Sequence, residues 1–264
     1  MNIESKIKNI RKNILHIANL AGSPHVGSAL SCTDIVATLY FEVLRLEPYE
    51  QRDIFLLSKA HSAMALYATL FEKGLLSKEE LEGYYQNGGK LPAHTDRQTN
   101  PYIEISAGSL GHGLPMACGM AHSFKLKNSE RQVYVLMGDG ESQEGSVWEA
   151  AMLAPKLGLD NLTVFIDRNN LQGYGRASEL LSYEPIDEKF RSFNWDVIRI
   201  NGHETETIKK EALRKSSKPK MIIADTIKGK GVDFMEDELK WHYYIVTDEI
   251  KKEAYRCLGC ENEK

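Results

Sequence analysis

Four strand-like runs, spaced by helix-like stretches, restrict what this chain can fold into. From residue 114 a helical segment (114–127) leads into "QVYVLMG", then a helix over 144–157 and "LTVFID" (162–167). A helix over 186–193, "WDVIRI" (195–200), a helix over 205–215 and "PKMIIADT" (219–226) follow. Runs as continuously apolar as the first two mark strands buried on both faces. The alternation predicts an α/β fold: a parallel sheet flanked by helices on both faces. In such sheets ligands bind outside the carboxyl ends of the strands.

Residues 1–90 read instead as helices, over 3–20, 31–45, 61–74 and 77–86. Ile3, Ile7, Ile10, Ile14, Ile17 and Leu20 recur at helical spacing with charges between them. That pattern is an amphipathic helix and not a signal peptide. No apolar run approaches the roughly 18 residues that span a bilayer, so a cytoplasmic protein without membrane contact is expected. A formal net charge of -4 gives no electrostatic reason to expect nucleic acid. The whole chain, 1–264, reads as a single domain with a flexible C-terminal tail over about 246–264. Cys32 and Cys118 read as buried thiols. "CLGC", with Cys257 and Cys260, has no second pair to complete a zinc site and reads as part of the tail.

Two polar clusters end two of the strands: Gly138-Asp139-Gly140 after "QVYVLMG" and Asn169-Asn170 after "LTVFID". Glycines beside Asp139 let the backbone turn and approach a ligand closely. If the two strands are neighbours, a carboxylate and an amide project from one sheet edge. With a backbone carbonyl they form the hard oxygen set that Mg²⁺ or Ca²⁺ takes. Few protein ligands leave positions for phosphate oxygens, so a metal-held diphosphate is expected. Either cluster alone reads as an ordinary turn or loop; the pair is far more specific.

Of eight histidines, five sit in small-residue contexts: His25, His61, His94, His112 and His242. Their spacing fits no metal motif, and they suggest a convergent polar pocket suited to proton transfer and hydrogen bonds to hydroxyls or phosphate. His16, His122 and His203 read as structural or exposed. The irregular stretch Asn87 to Gly113 is of a length usually reserved for function. Its end, "SAGSLGHGLP", lacks the Walker and Rossmann endings; its glycines let the backbone press against a flat ligand. "TIKGKGVDFME" sets Lys228 and Lys230 among glycines, which suits an anionic ligand, a mobile active-site loop or a plain basic surface loop.

Taken together, "HVGS", "DIFLLSKAHSAMALYA", "AHTD", "GSLGHG", "GDGESQEGSVWEA", "DRNNLQ" and "TIKGKGVDFME" followed by "WH" resemble the thiamine-diphosphate-binding half of transketolase over about residues 5–245. The resemblance implies thiamine diphosphate and Mg²⁺ (or Ca²⁺) as cofactors, with Asp139, Asn169 and the carbonyl of Leu171 as metal ligands. It implies diphosphate contacts from Gly140, His61 and His242, and a backbone segment, Gly108, Ser109 and Leu110, against the cofactor's rings. His25 and His94 match residues that bond the donor sugar and move protons at its hydroxyls. Glu144 matches a buried glutamate that links paired active sites across a dimer. The implied catalytic set is His25, His61, His94, His242 and Glu144.

The implied reaction transfers a two-carbon ketol unit from a ketose phosphate to an aldose by way of a thiamine-diphosphate carbanion. Ala60, Val26 and His112 depart from common family residues and point to a short, split or specialised branch; His112 is a candidate further pocket group. The family's second half, which carries the pyrimidine-binding site, has no counterpart here. A separate C-terminal subunit in an α2β2 assembly is therefore expected, with sugar phosphate substrates. The alternatives are a thiamine-diphosphate carboligase subunit of a specialised sugar or secondary-metabolite pathway, and a non-catalytic cofactor-binding or regulatory subunit.

Overall fold

A computed structural model describes residues 2–260. Five parallel strands form one sheet: β1 (Ile54–Leu57), β2 (Val133–Gly138), β3 (Leu162–Arg168), β4 (Asp196–Asn201) and β5 (Lys220–Asp225), in the order β1-β2-β3-β5-β4. The helices are α1 (Ile3–Ala21), α2 (Val26–Ser31), α3 (Thr33–Thr38), α4 (Ala63–Glu72), α5 (Lys78–Glu82), α6 (Gly113–Leu126), α7 (Gly145–Lys156), α8 (Ala177–Leu180), α9 (Ile186–Ser192), α10 (Thr205–Leu213) and α11 (Asp248–Cys257).

The central strands β2, β3 and β5 are largely apolar because successive side chains enter two different cores, whereas the edge strand β4 is mostly half-buried or exposed and carries Asp196, Arg199 and Asn201. Tyr134, Leu136, Phe165, Ile222 and Ala224 pack with α1 to α4 on one face. Val133, Val135, Met137, Val164, Ile166, Met221 and Ile223 pack with α6, α7 and α9 on the other. Register pairs Leu57 with Leu136, Gly138 with Asp167, and Arg168 with Asp225. The carboxyl ends of β1, β2, β3 and β5 therefore open on one edge.

The sequence expectations differ from the structure in three places. The N-terminal part is not wholly helical: "IFLL" is strand β1, at the edge of the sheet. The helix expected over 31–45 is α3 followed by a π-helical turn at Leu39–Val43, and a separate short helix, α2, precedes it at Val26–Ser31. Much of the expected tail is ordered as α11, which buries Ala254 and packs Ile250, Tyr255 and Leu258 against the core; residues 261–264 lie outside the described residues. Among the described residues no helix is long and apolar enough to cross a membrane.

Candidate active site at the carboxyl edge of the sheet

A cavity of about 540 Å³ lies where β1, β2, β3 and β5 end. Asp139 enters it directly from β2 and Asn169 directly from β3. Asp139 is buried. Its Oδ1 accepts the Gly140 N–H (2.8 Å), and its Oδ2 has no hydrogen-bond partner among the described residues. Burial, and then the charge of Asp167, raise the Asp139 carboxyl above the usual carboxylate range. An acidic oxygen in that position calls for a cation.

Asn169 is oriented by its neighbours. Its Nδ2 donates to Ser31 Oγ (3.0 Å) and Asp167 Oδ2 (3.3 Å), which identifies the other amide atom as the oxygen; that oxygen accepts the Leu171 N–H (3.0 Å). The Leu171 carbonyl accepts from Lys228 Nζ (3.0 Å). Gly140 is a cavity-wall residue whose added Cβ would lie 3.0 Å from Gln172 Cδ.

Among the described residues no group of three or more His, Cys, Asp or Glu side chains is arranged to hold a metal ion. The expected set has a single carboxylate, complemented by amide and carbonyl oxygens. That composition, with an orphaned Asp139 oxygen, fits a Mg²⁺ that completes its shell with water and phosphate oxygens.

Four of the five histidines converge. The His25 ring lies 5.4 Å from His61, 6.3 Å from His94 and 4.9 Å from His242, centroid to centroid. His25 precedes α2 in a left-handed conformation (φ 73°), and its N–H donates to the His242 carbonyl (3.0 Å). All four have lowered pKa values: His25 to about 4, by burial and then His94; His242 to about 3, by burial and then Lys228; His61 well down, by burial and then Lys59; and His94 by burial. They are neutral imidazoles at neutral pH, able to donate and accept hydrogen bonds. His112 is not among them. It is exposed, outside the cavity wall, with Nδ1 3.0 Å from the Leu110 carbonyl.

Gly108 and Leu110 line the cavity, whereas Ser109 between them is exposed and outside its wall. Glu144 is on the cavity rim and exposed in the single chain. Glu141, three residues earlier, is buried within the chain itself. It accepts from Ser58 Oγ, Gly111 N–H (3.0 Å) and Gly138 N–H (3.2 Å), tying β1, β2 and the 108–112 loop together; burial raises its carboxyl.

Sequence reasoning missed Glu141 and the buried pair Lys59–Asp167, and left Lys228 undecided. Lys59 stands two residues beyond β1, and Asp167 is the penultimate residue of β3. Their juxtaposition comes from the sheet order, which no local pattern reports.

A family profile described as "Transketolase, thiamine diphosphate binding domain" matches residues 3–264. An apulose-4-phosphate transketolase subunit from Phocaeicola vulgatus is 40% identical, covering 99% of this chain and 95% of the relative. A 6-deoxy-6-sulfo-D-fructose transketolase subunit from a Clostridium species is 40% identical, covering 93% of this chain and 92% of its own length. The solved transketolase from Leishmania mexicana superposes with a TM-score of 0.91 at 28% identity, over 100% of this chain and 42% of that one.

Proposed function

Since the chain belongs to the family of thiamine-diphosphate-binding transketolase domains, we propose that it is the cofactor-binding subunit of a two-subunit transketolase-type transferase. The observation that carries this reading is the buried Asp139, with a free oxygen, at one sheet edge with the oriented Asn169 amide and four neutral histidines. Thiamine diphosphate, when bound, supplies the carbon nucleophile and electron sink for cleaving a ketose carbon–carbon bond.

The chain's own groups have distinct tasks. Asp139, Asn169 and the Leu171 carbonyl hold Mg²⁺. Gly140, His61 and His242 meet the diphosphate, and the 108–110 backbone supports the rings. His25 and His94 bond the donor's hydroxyls and exchange protons with them; neutral imidazoles suit both. Glu144, on the exposed rim, is in a position for a neighbouring subunit to cover.

A partner carrying the pyrimidine-binding half is inferred from the relatives. The chain spans 42% of the solved transketolase but 95% of a relative that is itself named as one subunit of a transketolase. An α2β2 assembly in the cytoplasm completes the reading. The two relatives' names specify a sugar phosphate and a sulfo sugar, which supports a ketose donor with a terminal anion.

The test is calorimetric titration of thiamine diphosphate with Mg²⁺ into the chain reconstituted with its partner, then a ketol-transfer assay. Expected is Mg²⁺-dependent binding that Asp139→Asn weakens by at least about 10- to 100-fold, the loss typical when a group that only supports a metal ligand is removed. Absence of binding in the complex would reject the reading.

A further inference from the structure

We propose that Lys228 is a positioning residue that holds His242 as its Nε2–H tautomer, so that His242 faces the cavity as a hydrogen-bond donor and not as a base.

The lysine has little freedom to be elsewhere. It follows β5, is 1% exposed, and lines the cavity. Its backbone is held from two sides: the Lys228 carbonyl accepts the Asp237 N–H (2.9 Å), and the next residue, Gly229, donates its N–H to the Gly27 carbonyl (3.0 Å). Its stem runs across Gly27, where an added Cβ would lie 3.2 Å from Lys228 Cγ and 3.1 Å from Trp241 Cβ. The glycine of "HVGS" therefore provides the room in which the lysine reaches the cavity.

The end of the side chain meets two acceptors, the Leu171 carbonyl (3.0 Å) and His242 Nδ1 (2.8 Å). Among the described residues no carboxylate lies within ion-pair distance of it. An ammonium has three N–H donors and no lone pair. At 2.8 Å, Nδ1 is the acceptor, and a neutral imidazole with its lone pair on Nδ1 carries its hydrogen on Nε2. An imidazolium would set two donors against each other. The Nε2 edge is turned toward Gly173, where an added Cβ would lie 3.5 Å from Nε2 and 2.4 Å from the Tyr243 hydroxyl; Gly173, His242 and Tyr243 all line the cavity. The lysine's charge polarises the ring and strengthens that donor.

The consequence for chemistry rests on the proposed function. An anionic oxygen in the cavity meets an N–H at His242. Proton abstraction then falls to another imidazole, and His25 has a buried Nδ1 with no partner among the described residues.

The experiment uses the full chain labelled with ¹⁵N-histidine. Long-range ¹H–¹⁵N correlation at neutral pH reads each ring's tautomer, and His242→Gln assigns the relevant signals. Expected is the Nε2–H pattern in the wild type, lost in Lys228→Met and kept in Lys228→Arg. Binding of inorganic pyrophosphate with Mg²⁺ should weaken about tenfold or more in Lys228→Met, as when a group supporting a ligand's orientation is lost. An Nδ1–H pattern in the wild type, or an unaltered pattern in Lys228→Met, overturns the proposal. If Lys228→Met does not fold, the wild-type spectrum decides alone. The Nε2–H pattern in a chain whose complex binds no thiamine diphosphate would reject the functional reading and leave this one standing.

Discussion

Asp167 is fully buried, yet it accepts hydrogen bonds from Lys59, Ser31 Oγ, Thr226 Oγ1 and the Asn169 amide. It has two jobs: it neutralises Lys59 and it orients Asn169. Asp167→Asn would leave the Lys59 ammonium buried without its counter-charge, a change that typically costs ~3–5 kcal/mol. Urea denaturation should show a loss of that size. Replacing Lys59 and Asp167 together by apolar residues should cost less, because no lone charge remains. The histidines make a second prediction. His25 and His242 titrate near 4 and 3 in the folded chain against 6.5 as their ordinary value. Between those limits the unfolded chain binds more protons, so stability rises with pH. Their contribution is fully present above about pH 6.5 and is lost as pH falls toward 4 and then 3. Urea midpoints measured from about pH 7.5 to about pH 4.5 should decline, and His25→Gln should flatten the slope; a slope unaltered by that substitution would contradict the assignment. Asp139 and Asn169 were legible because glycine or a second asparagine flanks each one after an apolar run. Lys59 was not, since a lysine beyond a strand reads as surface until the sheet order brings Asp167 beside it.

At the scale of elements, legibility followed from how many residues report the same environment. β2 and β3 stand out because nearly every position is buried, alternate residues in alternate cores. β1 has only four residues, and nothing local separates "IFLL" from the helices around it. α11 was misread for the opposite reason: it is mostly charged and covers α1 with few apolar groups. Polar ties compensate. Asn19 Nδ2 donates to the Val246 carbonyl (3.0 Å), Lys251 Nζ to Asn19 Oδ1 (2.5 Å), and Lys8 Nζ to the Gly259 carbonyl (2.9 Å). Thr247 caps the helix by accepting the Ile250 N–H (3.4 Å). Thr247→Ala should therefore cost ~1 kcal/mol, the usual loss for an N-cap, as read by thermal or urea unfolding; an unordered tail would show no change. The start of α6 is packed more tightly. A Cβ at Gly113 would lie 2.1 Å from Ser58 Oγ, the group that donates to Glu141. Gly113→Ala should destabilise by ~1–3 kcal/mol through overpacking, and should loosen the 108–112 loop, measurable as faster hydrogen exchange at Gly111.

At the scale of the whole molecule, the cavity is bordered by groups that a solitary chain has little reason to expose. Tyr174 and Leu181 line it while largely exposed, as does Tyr243, which leads into exposed Tyr244 and Ile245. Apolar surface gathered around a polar site is what a partner covers. If thiamine diphosphate touches both this chain and the partner that covers it, the two binding events are linked. The factor by which the partner tightens the cofactor must equal the factor by which the cofactor tightens the partner, because both routes lead to the same complex. Titrating thiamine diphosphate with Mg²⁺ into the chain alone and into the complex gives the first factor. Sedimentation of the two subunits with and without cofactor gives the second. A shared site predicts two equal factors, well above one, with ketol transfer only in the complex. Cofactor binding that is indifferent to the partner would confine the whole site to this chain and remove the reason for a second subunit in the chemistry.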